Sequence, residues 1–385
     1  MQRRLSMFTL LHGGEVYVPE PTGKTDVLFA CGRIAQIGNI DVNALERTGL
    51  PVEVCDVHDC YVVPGLIDPH EHLLGGSGEQ GYATQTPELA LREIVSAGIT
   101  TVVGCLGTDT TTKTMPGLLA KAKAFNAEGL TAYIYSGGYN VPPVTLTGSV
   151  RTDLLYISEV IGAGETAISD ARSTEPSAAE LARLVRDAYV GGILSGKAGI
   201  VHFHVGAGSR RLALLRTLLD DFEIDPGRLY PTHVQRTQEL MLEAVELSRR
   251  GVSVDVDTVE HDLVKWLKFY FDHDGDPARI TASSDAAVNS PRTLLEQIRL
   301  CARELPIEKV LPVVTRNTAM ALKLPTKGCI RTGFDADLVV LSKDMLEVVH
   351  VFANGRCFIR NGAFNVTEQF LKESNREIVI HGDKF

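Results

Sequence analysis

The sequence lacks the features that mark membrane, secreted and nucleic-acid-binding proteins. No apolar stretch among the 385 residues approaches the ~20 residues of a membrane helix, and the basic start at Arg3-Arg4 is not followed by the apolar core of a signal peptide. Basic residues are outnumbered, 38 against 48 acidic ones, which gives a formal net charge of -10 without a basic stripe. These absences predict a cytoplasmic protein without membrane or nucleic-acid partners.

Paired cysteines are also missing. The seven cysteines are odd in number and scattered, and none forms a Cys-x-x-Cys pair. Cys55 and Cys60 are the nearest neighbours, but no second pair lies close enough in sequence to complete a tetrahedral thiolate site. We therefore interpret the cysteines as reduced packing residues of a cytosolic chain.

The middle of the chain has the pattern of a parallel α/β fold. Between about residues 63 and 290, short β-branched runs alternate with longer amphipathic stretches. Eight strand candidates are centred near Leu66, Val102, Ile134, Ile168, Val201, Tyr230, Val254 and Ile280. Eight strand-helix units predict an α/β fold of the (β/α)8 TIM barrel type, in which functional side chains lie at the carboxyl ends of the strands.

Both ends of the chain have a different pattern, with short strands and turn signals such as Gly13-Gly14 and Asn361-Gly362. We expect the two ends to build one small β-domain beside the barrel. The predicted boundaries are 1–62 and 325–385 for the two parts of this domain, and 63–324 for the barrel.

A set of histidines and carboxylates predicts a metal site. His70 and His72 follow a valine-rich run, and residues i and i+2 of a strand project from one face, so both imidazoles can reach one ion. By itself this pair is equally compatible with a metal site and with histidines that are hydrogen-bonded to the backbone. Four further candidates each adjoin another apolar run: Glu165, His204, His233 and Asp285. Nitrogen and oxygen donors without thiolates suit zinc, manganese or non-haem iron.

Several segments, in the same order, resemble the isoaspartyl (β-aspartyl) dipeptidase family of the amidohydrolase superfamily. They are GGSGE at 75–79, GCLGTD at 104–109, YNVP at 139–142, TGSV at 147–150, AISDARS at 167–173 and PTHVQR at 231–236. The resemblance covers nearly the whole chain. It implies a TIM barrel with a small β-sandwich domain formed by both chain ends.

The resemblance also implies a metal centre with two divalent ions, zinc being the first choice. His70, His72 and Asp285 would hold one ion, and His204 and His233 the other. Where the best-known pattern of the family has a carboxylated lysine bridging the ions, this sequence has Glu165, which we expect to supply the same two oxygens. A hydroxide bridging the ions would be the nucleophile. His202 would share the face of His204 but lie one layer of side chains deeper in the barrel. There it would form hydrogen bonds in the core or behind the metal ligands.

The expected substrate is a small dipeptide with a β-linked aspartyl residue. The resemblance implies that Asp285 moves a proton from water to the leaving amine, and that Tyr139 donates to the oxyanion. Glu79 would hold the substrate ammonium, and Arg172 and Arg236 its carboxylates. Further hydrogen bonds to the substrate are expected from Ser77, Thr108 and Asn289 or Ser290. For each arginine, a surface ion pair is the alternative.

Three other functions remain open at this stage. A cyclic amide hydrolase of the dihydroorotase type, or an N-acyl amino acid deacylase, could use the same metal scaffold. Glu79 favours the dipeptidase, because a cyclic ureide has no free ammonium. A metal-free scaffold protein is the third alternative, and the complete set of candidate ligands counts against it. The family also implies assembly into a homo-oligomer.

Overall fold

The computed structural model describes residues 8–76, 78–287, 289–372 and 374–375. Its strands are β1 (Phe8–Tyr17), β2 (Pro21–Ala30), β3 (Arg33–Gly38), β4 (Val52–Asp56), β5 (Cys60–Pro64), β6 (Leu66–Glu71), β7 (Ile99–Gly104), β8 (Thr131–Ser136), β9 (Val160–Ile168), β10 (Ile200–Val205), β11 (Leu229–Thr232), β12 (Val254–Asp257), β13 (Ile280–Ser283), β14 (Leu338–Ser342), β15 (Val348–Ala353), β16 (Arg356–Arg360) and β17 (Ala363–Phe364).

The α-helices of the described residues lie mainly between the strands of the middle region. They are α1 (Val42–Arg47), α2 (Leu91–Ser96), α3 (Met115–Ala127), α4 (Val150–Tyr156), α5 (Ala178–Ser195), α6 (Ala213–Asp221), α7 (Gln238–Arg249), α8 (Leu263–Asp272), α9 (Arg292–Glu304), α10 (Ile307–Val310), α11 (Arg316–Ala321) and α12 (Gln369–Lys372). Short 3₁₀ turns occupy Tyr82–Thr84, Pro226–Arg228 and Leu311–Val314.

The two chain ends form one nine-stranded sheet. Its order is β17-β16-β15-β14-β5-β1-β2-β3, with β4 pairing with β1. Strand β14 pairs antiparallel with β5 in a register that sets Val340 opposite Val62, so the C-terminal part is hydrogen-bonded to the N-terminal part. Apolar side chains from both parts, including Val62, Leu338 and Phe352, pack in one buried cluster. The two ends therefore share a core.

Parallel strands β6 to β13 alternate with helices in the middle of the chain. Strands β6 to β11 form a six-stranded sheet in sequence order, and β12 pairs with β13. His72 N donates to Ala286 O (2.9 Å), which connects the segment after β6 to the segment after β13, and Val234 N donates to Asp255 O (3.4 Å) between the segments of β11 and β12. Each of the eight strand candidates lies in one of these strands, and the mixed α/β fold is confirmed.

Local sequence explains these elements. Every residue of β7 and β10 is buried, as expected for parallel strands covered on both faces. Helix α5 begins with a capping box, because Ser177 accepts from Glu180 N and the Glu180 side chain accepts from Ser177 N. The same helix ends at Gly196, whose left-handed conformation (φ 73°) suits glycine. Within the described residues, no helix combines the length and apolarity needed to cross a membrane.

A buried ion-pair network lies where the middle region meets the β-sheet of the chain ends. Lys327 Nζ lies 2.5 Å from Asp337 Oδ2 and 3.0 Å from Asp335 Oδ2, with only 4% of its side chain exposed. Asp335 also pairs with Arg33, and Asp337 Oδ1 accepts from Asn354 N (2.7 Å). Burial lowers the pKa of Lys327, but the two aspartates outweigh burial and raise the pKa above its ordinary value.

Replacing Lys327 by methionine should destabilise the fold, because two buried carboxylates would lose their cation. We expect a loss of ~3 kcal/mol in the free energy of unfolding at pH 7, measured by chemical denaturation. Because the pKa is raised in the folded state, this stabilisation is fully present below the ordinary lysine pKa and disappears as the pH rises through the folded-state pKa.

Lys268 offers a matched control for this prediction. It pairs with Glu304, but 42% and 55% of the two side chains are exposed to solvent. Lys268→Met should therefore cost about 1 kcal/mol or less. Equal losses for the two variants would show that the Lys327 network does not stabilise the junction.

Candidate metal centre

A cleft opens at the carboxyl ends of the parallel strands. It has a volume of about 340 Å³, and its lining includes His72, Tyr139, Glu165, His204 and Asp285. These residues come from the ends of different strands or from the segments that follow them. The fold therefore gathers side chains that lie far apart in the sequence, as the strand-helix pattern predicts.

His70, His72 and Asp285 form the first half of the centre. Asp285 Oδ1 lies 3.4 Å from His70 Nε2 and 3.2 Å from His72 Nε2. Glu165 closes this group, with its Oε2 3.4 Å from His70 Nε2 and its Oε1 3.9 Å from His72 Nε2. All four residues present nitrogen or oxygen atoms to one small space.

His204 and His233 form the second half, on the other side of Glu165. Glu165 Oε2 lies 3.0 Å from His204 Nδ1 and 3.4 Å from His233 Nε2. One carboxylate, 1% exposed, thus contacts histidines from both halves. Glu165 is therefore a buried residue of β9 at the middle of the cluster.

The spacing of these atoms fits metal coordination. Donors at 2.0–2.1 Å from a tetrahedral zinc are about 3.3 Å apart, and the contacts from Asp285 to His70 and His72 measure 3.4 and 3.2 Å. His70 Nε2 is buried and makes no hydrogen bond within the described part of the chain, which leaves its nitrogen available for an ion. Two groups of side chains have donor atoms within 4.8 Å of one another and could each hold an ion. The first consists of His70, His72, Cys105 and Glu165, and the second of Glu165, His204 and His233.

Electrostatics support an ionised Glu165. Burial raises its pKa, but His70 and His204 outweigh burial and hold the pKa of the carboxyl well below its usual range. The same balance lowers the pKa of Asp285, against burial, through His70 and His72. Both carboxylates are therefore acceptors only, which is the form that binds metal.

The far ring nitrogens of His70 and His72 face a third histidine and a cysteine. His202 Nε2 lies 3.2 Å from His70 Nδ1, so His202 contacts a candidate ligand from the buried side of its ring. The sulfur of Cys105 lies 3.7 Å from His72 Nδ1. Burial raises the pKa of the Cys105 thiol, but His72 and His70 outweigh it and the pKa falls below its ordinary value. Cys105 thus packs in a buried apolar cluster, as interpreted from the sequence, and also lies beside the candidate metal ligands.

The far nitrogens of His204 and His233 face carboxylates. His233 Nδ1 lies 2.6 Å from Asp257 Oδ2, and His204 Nε2 lies 3.1 Å from Asp170 Oδ2. Burial lowers the pKa of His233, but hydrogen bonds to Asp257 and Glu165 raise it to about 9. Since an ionised carboxylate can only accept, the histidine nitrogen in each pair donates, and the other ring nitrogen faces Glu165.

The backbone is specialised around the centre. His233 (φ 64°) and Asp285 (φ 49°) both adopt the left-handed conformation, which is uncommon for residues other than glycine and is often found at functional sites. Gly107 leaves room for His72, because a Cβ atom at that position would lie 2.9 Å from His72 Cε1. A larger residue at 107 would therefore displace the imidazole.

Tyr139 reaches the second half of the centre from the segment after β8. Its hydroxyl lies 2.9 Å from His204 Nδ1, and 5% of the residue is exposed. Burial and the Glu165 carboxylate raise the pKa of Tyr139 well above its ordinary value. The phenol thus remains protonated and can donate a hydrogen bond.

Most of the predicted substrate residues lie around the same cleft. Arg172 Nη1 lies 2.6 Å from Glu79 Oε1, which also accepts from Thr108 Oγ1 (3.3 Å). Arg236 lines the cleft and donates through Nε to Val205 O (2.8 Å). The remaining three differ: Asn289 lines the cleft, Ser290 Oγ accepts from Arg292 N at the start of α9, and Ser77 lies outside the described residues.

Sequence reasoning assigned no role in the metal centre to Asp170, Asp257 or Cys105, although each contacts a candidate ligand. Asp257 is the last residue of β12, and Cys105 directly follows β7. Both positions are carboxyl ends of parallel strands, where functional residues are expected, so this signal was present in the sequence. Asp170 lies two residues before Arg172, in a segment that matched the family pattern.

Comparison with known proteins agrees with this architecture. A family model described as the amidohydrolase family matches residues 271–358. A crystal structure of the beta-aspartyl dipeptidase of Fervidobacterium islandicum AW-1, in complex with the dipeptide beta-Asp-Leu, is 37% identical, with a TM-score of 0.89. The match covers 94% of this chain and 100% of that chain.

Two further structures extend the comparison. Another structure of the Fervidobacterium islandicum AW-1 enzyme is 38% identical, with a TM-score of 0.90, over 94% of this chain and 100% of the other. A variant of an atrazine chlorohydrolase from Arthrobacter aurescens is 14% identical, with a TM-score of 0.62. That match covers 93% of this chain and 97% of the other, and it shows a shared fold alone. Because the match at more than one third identity spans almost the full length, this chain belongs to the isoaspartyl (beta-aspartyl) dipeptidase family of the amidohydrolase superfamily.

Proposed function

We propose that this protein is a metal-dependent hydrolase that cleaves the β-aspartyl peptide bond of isoaspartyl dipeptides. The observation that supports this most strongly is the full-length match to a beta-aspartyl dipeptidase solved with beta-Asp-Leu, combined with the histidine-glutamate cluster of this chain. Fold alone would not identify a substrate, because many reactions share this architecture. The family relationship and the site together identify the reaction.

The metal assignment that we propose uses six residues. His70, His72 and Asp285 hold one divalent ion, and His204 and His233 hold a second. Glu165 bridges the two positions, as its contacts with His70 Nε2 (3.4 Å) and His204 Nδ1 (3.0 Å) suggest. Zinc suits this set of imidazole and carboxylate donors. When bound, the ions supply Lewis acidity that activates water and polarises the peptide carbonyl.

The side chains around the ions have distinct roles in this proposal. Asp285, ionised and with 22% of its side chain exposed, accepts a proton from the attacking water and delivers it to the leaving amine. Tyr139 donates a hydrogen bond to the oxyanion that forms as the carbonyl carbon becomes tetrahedral. Its raised pKa keeps the donor proton on the phenol throughout the neutral range.

The charged side chains at the cleft mouth are complementary to the charges of the substrate. A β-linked aspartyl residue presents an ammonium and a carboxylate on one carbon atom, and Glu79 and Arg172 present the opposite charges 2.6 Å apart. Substrate binding would exchange this internal ion pair for two pairs with the ligand. Arg236 would bind the second carboxylate, and three other polar residues would add hydrogen bonds: Ser77, Thr108 and Asn289. Ser290 is the alternative to Asn289 for one of these hydrogen bonds.

We further propose that strands β6 to β13 close into a (β/α)8 barrel and that the nine-stranded sheet forms a β-sandwich. Hydrogen bonding between His72 and Ala286 at the two ends of the strand series supports closure. The proposed domain limits remain 1–62 and 325–385 for the β-domain, and 63–324 for the barrel. A cytoplasmic location and a homo-oligomer complete the proposal.

Hydrolysis of beta-Asp-Leu is the direct test. The protein should release free aspartate from beta-Asp-Leu, and it should lose this activity after chelation and regain it with zinc, because the cluster requires an ion. Dihydroorotate and N-acyl amino acids provide the comparison. Turnover of those compounds without turnover of beta-Asp-Leu would favour the cyclic amide hydrolase or the deacylase instead.

Glu165 should make the metal centre independent of carbon dioxide. Metal-free protein reconstituted with zinc should bind the same number of ions and recover the same activity with or without bicarbonate, because the bridging carboxylate is encoded in the sequence. Glu165→Gln should lower the number of bound ions, since an amide is a weaker bridge between dications. A strong requirement for bicarbonate would contradict the bridging role.

Tyr139→Phe should lower kcat about 100-fold while KM changes little, since the phenol acts on the transition state. Steady-state kinetics with beta-Asp-Leu measure both constants. Tyr156, which is 76% exposed at the end of α4, is a comparison position outside the cleft lining. A rise in KM without a change in kcat for Tyr139→Phe would refute oxyanion stabilisation.

A further inference from the structure

The carboxylate of Asp170 contacts both a candidate metal ligand, His204, and a candidate substrate-binding residue, Arg172. Its Oδ2 lies 3.1 Å from His204 Nε2 and 2.7 Å from Arg172 Nη2, and its Oδ1 accepts from Arg172 Nε (2.8 Å). Oδ1 also accepts from the backbone N of Arg172 (2.8 Å). The side chain is 9% exposed, so solvent competes little for these contacts. One carboxylate thus orients two residues with different functions.

The arrangement directs the other edge of each partner toward residues that line the cleft. Asp170 holds Arg172 in a bidentate manner through Nε and Nη2, while Nη1 points to Glu79 (2.6 Å). Asp170 likewise occupies His204 Nε2, so that His204 Nδ1 is left to face Glu165 (3.0 Å). A shift of the carboxylate would therefore move both the imidazole and the guanidinium.

Asp257 provides an internal comparison. It accepts from His233 Nδ1 (2.6 Å), and its other oxygen accepts from Val259 N (3.0 Å). The Gln235 amide also donates to it, and neither Arg172 nor Arg236 is among its hydrogen-bond donors in the described part of the chain. Asp257 thus supports a metal ligand without holding a substrate arginine.

We propose that Asp170 is a positioning residue that couples the second metal position to substrate binding, by fixing His204 and Arg172 with one carboxylate. This inference rests on the proposed function, because it uses the substrate role of Arg172. Metal binding at His204 holds Asp170 in place, and Asp170 in turn holds the guanidinium ready for a substrate carboxylate. An arginine that is already ordered loses less side-chain entropy when it binds its ligand.

Asp170→Asn and Asp257→Asn distinguish coupling from simple support of a ligand. Zinc affinity is measured by titrating metal-free protein in competition with a chromophoric chelator, and KM for beta-Asp-Leu is measured at saturating zinc. Both variants should bind the second zinc about 10- to 100-fold more weakly, because each loses a carboxylate partner of a ligand histidine. Only Asp170→Asn should also raise KM at saturating zinc, by about tenfold or more, because a charge-assisted hydrogen bond to Arg172 is lost.

Asp170→Glu tests whether the carboxylate itself is responsible. It should restore part of the zinc affinity and part of the KM, and thermal unfolding of each zinc-loaded variant checks that the fold is intact. Wild-type zinc affinity or wild-type KM in Asp170→Asn would overturn the coupling. Equal increases of KM in the two asparagine variants would also overturn it.

The wild-type protein separates this inference from the proposed function. If zinc-loaded wild type does not cleave beta-Asp-Leu, the proposed function is refuted and the coupling falls with it. If it does cleave the dipeptide, the zinc affinity and the KM of the two asparagine variants decide the coupling. The zinc titration reads out the metal half of the inference without any measurement of activity.

Discussion

The contact of one buried carboxylate with histidines from two sides is the interaction on which the rest of the site depends. Glu165 lies 3.4 Å from His70 Nε2 and 3.0 Å from His204 Nδ1, in a space where an unpaired charge would be costly. Its ionised form requires nearby positive charge, whether from protonated imidazoles or from metal ions. The surrounding fold therefore brings several cation partners to this one carboxylate.

The candidate ligands are held in place by side chains that contact the ring nitrogens facing away from the metal positions. The two halves of the centre are supported differently, because His204 and His233 face the carboxylates of Asp170 and Asp257, whereas His72 faces the thiol of Cys105. Carboxylate partners make an imidazole a more basic ligand and also fix the orientation of its ring. The chemical difference between the two positions thus lies outside the direct ligands.

Much of the fold and of the centre could be predicted from the sequence. Parallel strands with both faces buried require continuous apolar runs, so the strands around Val102 and Val201 are visible in the sequence. Two histidines at i and i+2, such as His70 and His72, share a face of any strand. The candidate ligands follow because a parallel α/β fold brings the carboxyl ends of its strands together.

Only the tertiary structure decided which side chains meet across the cleft. The family resemblance implies separate substrate roles for Arg172 and Glu79. In the structure these two residues, 93 positions apart along the chain, form an ion pair. The hydrophobic periodicity of the sequence does not predict that contact, because the contact depends on how the loops after β6 and β9 pack against each other. The same holds for Asp170 and His204: local pattern determines which face a residue occupies, whereas partners from distant segments are determined by the packing of the whole chain.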